Sequence, residues 1–318
     1  MIRSIVISSL LLICSLTAWT QQDQLYTQFM YNKLALNPAY AGHYEGVSFT
    51  GIVRNQWIGF PGAPQTQALS VNIPLFAQNA GLGITANRNT IGVSEKQTIE
   101  GAYTYRIRIS ESQTLSIGLQ TSLRRYSVNF TDPSLLAIDG IAFDPSLNAQ
   151  DYNQNVFNFG GGLYYSTESF YLGLSSPRLS EALLDIENQE GFGREQRIFY
   201  AMGGGEIEMS SMVKFVPQAL IKYTENAPVD LDVNLSVMYA DRLTGGINYR
   251  LGGDRESAGE SIAVLAGLQV NSGLLIAAAY DITLSNIRRA SSGSIEAVVH
   301  YTIGQTDHAS REINPRFF

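Results

Sequence analysis

The chain has 318 residues, of which 45% are hydrophobic and only 15% charged, with a formal net charge of −7. Soluble domains carry about 25% charge, so charge is scarce here, yet the mean hydropathy of −0.02 excludes a bundle of membrane helices. The acidic balance argues against nucleic acid or anionic lipid as the principal partner.

The first twenty residues read as a secretory signal peptide. Arg3 supplies the positive n-region, Ile5 to Leu16 the apolar stretch, and Ala18 and Thr20 the small residues of a cleavage region. That apolar stretch is shorter than the ~20 residues that span a bilayer. The single cysteine, Cys14, falls inside it, so the mature chain carries no thiol for disulfide or thiolate chemistry.

Residues 21–46 do not alternate. Leu25, Phe29, Met30, Lys33 and Leu34 have rough helical spacing, and Asn37-Pro38 stops any helix. This segment is expected to be a plug or a periplasmic clasp, or else an arm packed against the base of the next domain.

From residue 47 to 304 the period is two. In 98–109, Ile99, Gly101, Tyr103, Tyr105 and Ile107 share one face, while Thr98, Glu100, Thr104, Arg106 and Arg108 share the other. The same alternation recurs at Leu115 to Arg124, Asp230 to Tyr239 and Ile295 to Ile303. It marks strands with one apolar and one polar face. About fourteen such segments can be counted, starting near 47, 66, 80, 94, 112, 155, 168, 196, 212, 229, 242, 260, 274 and 294.

Connections after even-numbered segments are short, as at Ser110-Glu111, Ser166-Thr167 and Ser210-Ser211. After odd-numbered segments they tend to be longer, above all 128–154 and 177–195. The pattern predicts an all-β, transmembrane antiparallel β-barrel with short periplasmic turns and longer extracellular loops. Closure removes edge strands and pairs every backbone polar group away from lipid. The last stretch, 305–318, is expected to be a periplasmic tail that ends Asn314-Pro315-Arg316-Phe317-Phe318, either docking a partner or tucking against the barrel.

The polar faces place Arg54, Gln56, Glu100, Arg106, Arg108, Arg124, Asp230, Asp232, Asp281, Glu296 and His300 in the lumen. They form either internal salt bridges or a surface that grips a peptide or plug. Their mixed signs argue against a simple ion-selective pore. His43, His300 and His308 lack ligand spacing, and neither a nucleophile elbow nor a phosphate loop is present. No enzyme activity, cofactor or metal is expected. Asp132, Asp139, Asp144 and Asp151 match no calcium-loop spacing and read as a solvated acidic loop. Gly160-Gly161-Gly162 and Gly203-Gly204-Gly205 are expected to mark bends or close backbone approaches.

Three stretches together carry a resemblance. Residues 24–42 read QLYTQFMYNKLALNPAYAG, residues 54–74 read RNQWIGFPGAPQTQALSVNIP, and the chain ends NPRFF. They resemble the PorP/SprF family of outer-membrane proteins associated with the type IX secretion system of Bacteroidota. The matching positions are Asn37, Pro38, Ala39, Tyr40, Ala41 and Gly42, then Arg54, Gln56, Trp57, Gly59, Gly62, Ala63, Pro64 and Thr66. The resemblance implies an outer-membrane barrel that supports secretion or surface attachment of particular cargo, such as gliding adhesins. It implies contacts with the cargo's C-terminal region and with other secretion components at the periplasmic face. It assigns no role to individual residues. Trp57, where the first strand should leave the membrane, is expected to be an interfacial anchor, with Gly59 to Pro64 as a tight extracellular or lumen-folded loop. A porin or a transporter of small or lipidic molecules is the alternative.

Overall fold

A computed structural model describes residues 25–75, 79–132, 151–186, 189–225, 227–252 and 259–303. The proposed leader, the tail from 305 (with Pro315, Arg316, Phe317 and Phe318), and Asp139 and Asp144 lie outside the described residues.

The first strands are β1 (Val47–Asn55), β2 (Gln65–Leu75), β3 (Ala80–Ile91), β4 (Ser94–Ser110) and β5 (Gln113–Val128). Next come β6 (Tyr152–Ser166), β7 (Phe170–Arg178), β8 (Ala182–Ile186) and β9 (Gln189–Glu195). Then follow β10 (Ile198–Gly205), β11 (Ile207–Ser210), β12 (Val213–Thr224) and β13 (Asp230–Tyr239). The last are β14 (Leu243–Leu251), β15 (Ser261–Gln269), β16 (Leu274–Thr283) and β17 (Ser294–Ile303).

Each barrel strand pairs antiparallel with its neighbours in sequence. The ring closes where β1 meets β17, with Arg54 opposite Glu296. β10 and β11 are two pieces of one strand broken at Glu206, and both pair with β12. Counting them once gives a closed barrel of fourteen strands among the described residues. β8 and β9 form a separate two-stranded hairpin. The 177–195 connection was expected as a plain loop, but it rises from β7 as this hairpin and returns to β10.

Lipid explains the burial pattern. Outward positions are large and apolar: Leu119 is 67% exposed, Phe157 66% and Leu174 60%. An apolar outer band with every backbone group paired to a neighbouring strand is what hydrocarbon demands. Inward positions on the same strands, such as Thr98, Glu100, Ala102 and Thr104 on β4, are buried. A water-filled pore would leave them wet, so something fills the lumen. Among the described residues no helix is long and apolar enough to cross a membrane.

The filling is the N-terminal segment. Residues 29–31, 33–35 and 38–40 form three successive 3-10 turns, not the longer helix that the spacing suggested. Pro38 lacks the N–H that a continuing helix needs, and Asn32 and Asn37 stand between the turns in non-helical conformations. The segment is not packed at one base of the barrel. Thr27 and Gln28 lie near the long-loop ends of β1, β16 and β17, and Gly42 lies beside Asn72 and Gly81 near the short-turn ends of β2 and β3. The chain thus descends the length of the lumen before turning up into β1.

Candidate functional site: an occupied lumen

Two kinds of contact hold the segment. At the long-loop end, Arg54 of β1 donates to Asp281 of β16 at 2.5 Å and to Glu296 of β17 at 3.1 Å. One cation faces two carboxylates, and the segment supplies the remaining donors. The Thr27 and Gln28 backbone N–H groups donate to Glu296 at 2.9 and 2.7 Å, and the Thr27 hydroxyl sits 2.9 Å from both Asp281 oxygens. Arg54 also donates to the Thr27 hydroxyl at 2.6 Å. Arg54, Asp281 and Glu296 are at most 2% exposed, where such charges require full pairing and hydrogen bonding. Beside them, Arg250 pairs with Asp232 at 2.9 Å and Lys222 with Asp230 at 3.3 Å.

At the middle and short-turn end, close steric fit joins hydrogen bonds to the wall. Asn37 caps the third turn by accepting from the Ala39 N–H at 2.9 Å, and its amide donates to the Leu163 carbonyl at 2.9 Å. The wall opposite is glycine. A Cβ at Gly162 would lie 2.2 Å from Asn37 Oδ1, one at Gly118 2.3 Å from the Ala39 nitrogen, and one at Gly81 2.2 Å from the Ala41 oxygen. A Cβ at Gly83 would lie 2.5 Å from Leu34. Gly42 adopts φ +64°, and a Cβ there would lie 2.5 Å from the Gly81 Cα. Thr104 donates to the Pro38 carbonyl at 2.6 Å, Ser175 to Leu36 at 2.6 Å and Arg106 to Ala41 at 3.0 Å. Tyr40 is 2% exposed and packs with His43, Tyr44 and Tyr164. Lys33, 1% exposed, holds its ammonium 4.1 Å from the Tyr171 ring centre, within cation–π range.

A third cluster sits under the β8–β9 hairpin. Glu195, from the end of β9, pairs with Arg124 at 3.1 Å and Arg178 at 3.0 Å, and Arg124 also reaches Glu100 at 3.1 Å. Glu100, Arg124 and Arg178 edge a polar cavity of about 60 Å3, shared with Tyr26, Lys96 and Tyr200.

Of the expected lumen residues, Glu100, Arg124, Asp230, Asp232, Asp281, Glu296 and His300 face inward and are buried. His300 contacts the Thr50 hydroxyl through Nδ1 at 2.8 Å. Arg106 is partly buried against the segment. Arg108 is a correction: it has the inward parity but is exposed. β3 stops pairing at Ala80 opposite Tyr105, so the β4–β5 hairpin overshoots its neighbour and carries Arg108 past the filled lumen.

Asn37, Pro38, Tyr40 and Gly42 are brought together against the wall. Arg54, Gln56 and Thr66 are buried at the top of β1 and β2, where Gln56 donates through its N–H to the Pro64 carbonyl at 2.9 Å. Trp57 is half-buried with φ +48°, and its N–H donates to the Ser294 hydroxyl at 3.2 Å. Gly59 has φ +91°, and the loop it belongs to is exposed at Ile58 and Phe60 rather than folded into the lumen. The loop is tied to 284–293 by two backbone bonds, Ile58 to Gly293 and Ser292 to Ile58.

Sequence reasoning missed Thr27, Gln28, Arg178, Glu195, Lys222 and Arg250. It also missed the inward glycines Gly81, Gly83 and Gly118, although it singled out the run containing Gly162. A usable signal existed: on β3 and β5, glycine occupies inward parity where neighbouring inward positions carry side chains.

Fold and filling together define an outer-membrane β-barrel whose lumen is occupied by its own N-terminal segment. The chain belongs to the PorP/SprF family: the family model described as type IX secretion system membrane protein PorP/SprF matches residues 18–301. Among solved structures the chain is similar to the CymD monoaromatic hydrocarbon channel, at 11% identity and a TM-score of 0.51. That match covers 88% of this chain and 93% of the other. It is also similar to a Pseudomonas aeruginosa FadL homologue, at 11% identity and a TM-score of 0.44, covering 86% and 93%. At such identities the likeness to CymD shows the fold alone. Comparison with curated proteins finds no match.

Proposed function

We propose that this barrel works by binding proteins rather than by passing solutes. In this proposal it supports secretion or surface attachment of specific type IX cargo, such as gliding adhesins, and it is not an enzyme. The short turns face the periplasm and other secretion components, and the long loops face outward toward the cargo's C-terminal region, the usual orientation of bacterial barrels. The N-terminal signal peptide is removed on export, and the C-terminal tail lies in the periplasm.

The occupied lumen is the observation that carries this proposal. A porin needs a continuous aqueous path, whereas here a buried ion-paired clamp and a glycine-lined contact hold the N-terminal segment inside the barrel. Family membership favours a secretion role over the solute-transport alternative.

Purified protein in planar bilayers should be electrically silent, and affinity purification from native outer membrane should recover a stoichiometric secreted protein. Steady open conductance without a co-purified protein, even after crosslinking, would overturn the proposal in favour of a porin.

A further inference from the structure

The outer wall has an apolar groove of about 550 Å3, edged by Leu119, Leu163, Leu174, Phe199, Ile221 and Tyr223. Its origin is local. Strand β7 alternates outward and inward as far as Leu174, and then Ser175, Ser176, Pro177 and Arg178 are all buried in succession. Pro177 has no N–H to offer a neighbouring strand, and β6–β7 pairing ends at Gly161 opposite Ser176. The end of β7 curls inward across Gly160, where a Cβ would lie 2.5 Å from the Ser176 oxygen. On the other side, β10 shifts register against β7 between Ile198 and Tyr200, the signature of a bulge. The groove lies over the small residues Gly161 and Ala201, which sit between these large ones.

We propose that this groove binds one acyl chain of an outer-membrane phospholipid as a specific, retained ligand. The rim is the lipid-facing surface itself: Leu119, Leu163, Leu174, Phe199, Ile221 and Tyr223 are all exposed on the outward face. The two serine hydroxyls at the inner edge are already committed, Ser175 to the Leu36 carbonyl at 2.6 Å and Ser176 to the Arg178 carbonyl at 3.0 Å. The Leu179 N–H likewise reaches the Phe159 carbonyl at 3.0 Å. These groups ask for no hydrogen bond from an occupant, which suits a hydrocarbon chain and disfavours a polar peptide. Tyr200, buried in the same apolar cluster as Leu36 and Ala39, lines both this groove and the small luminal cavity.

Native mass spectrometry of the full-length protein, after detergent exchange that strips loosely held lipid, tests this directly. The wild type should retain one phospholipid. Ala201→Phe and Leu174→Trp fill the groove with apolar bulk at outward positions and should each lower the retained fraction at least tenfold. Val264→Phe, outward on β15 and away from the groove, should leave it unchanged. Heat-modifiable gel mobility identifies folded barrels. A wild type without lipid, or folded groove variants that retain as much as wild type, would overturn the assignment. A second measurement needs no variant: a phospholipid with a diazirine on its acyl chain should label peptides containing Leu174 and Phe199 preferentially. Uniform labelling around the apolar belt would overturn it equally.

Discussion

Both ends of the N-terminal segment are hydrogen-bonded to the wall, but buried ion pairs dominate at one and a glycine-shaped fit at the other. Near the long loops, Thr27 and Gln28 add hydrogen bonds to two buried carboxylates and an arginine. Farther down, Ala39 and Ala41 touch walls that only glycine permits. The first attachment is polar and directional. It would be costly to leave half-made, because a buried carboxylate that loses its partner keeps its full desolvation cost. The second is geometric, and it tolerates loss of a hydrogen bond better than it tolerates an added methyl group. A segment built this way can be loosened at one end without losing its place at the other.

The largest expected effect tests the polar end. Arg54→Met leaves Asp281 and Glu296 buried without their cation. Removing one member of a buried pair costs about 3–5 kcal/mol, so thermal unfolding in detergent should fall strongly, and the double variant with Asp281→Asn should recover part of the loss. A melting temperature unchanged in Arg54→Met would mean that the clamp does not hold the segment. Next comes the steric end. Gly118→Val places side-chain atoms where the Ala39 backbone now lies. Overpacking costs about 1–3 kcal/mol, and the segment should be pushed off that wall, making an otherwise silent barrel conduct intermittently. If Gly118→Val stays silent and as stable as wild type, the glycine contacts are incidental.

How much of this could be read beforehand follows from the range of each interaction. The strands were legible because lipid imposes its period of two on neighbouring residues. The fourteen observed barrel strands begin within about three residues of the expected positions. Parity also placed Glu100, Arg124, Asp281 and Glu296 inside. What parity does not carry is partnership. Arg54 lies 227 residues from Asp281 and 242 from Glu296, and no local pattern links them. Parity also carries no height along the barrel, which is why Arg108 was placed in the lumen when it lies beyond it. The Asn37–Gly42 stretch was singled out by resemblance with no role attached. Its physical meaning emerges only when Gly81, Gly118 and Gly162, scattered over three strands, are seen around it.

A smaller effect separates capping from wall contact at Asn37. Asn37→Asp keeps the oxygen that caps Ala39 but loses the amide donor to Leu163, whereas Asn37→Ala loses both. A lost cap costs about 0.5–2 kcal/mol. Denaturant midpoints should therefore fall more for Asn37→Ala than for Asn37→Asp. The reverse order would show that a carboxylate against Gly162 is worse than no side chain, and would count the site with the steric end alone.

The smallest expected effect is on pH. His43 stacks on Tyr40 with ring centres 4.8 Å apart and meets Tyr164 edge-on at 5.4 Å. Burial holds its pKa well below the ordinary histidine value, and the positive charges of Arg106 and Lys33 push it the same way. Above about pH 6.5, the ordinary value, folded and unfolded chains are both neutral at this position and stability is unaffected. As pH falls through that value, the unfolded chain takes a proton that the folded chain resists. Stability therefore declines until the depressed folded value is reached. Denaturation at pH 7.5 and 5.5 should show a small loss at the lower pH that His43→Phe removes, while the Arg54 clamp stays in place. If His43→Phe keeps the same pH slope, the buried ring is not the source of the acid sensitivity, and this end of the segment is held by shape and neutral contacts alone.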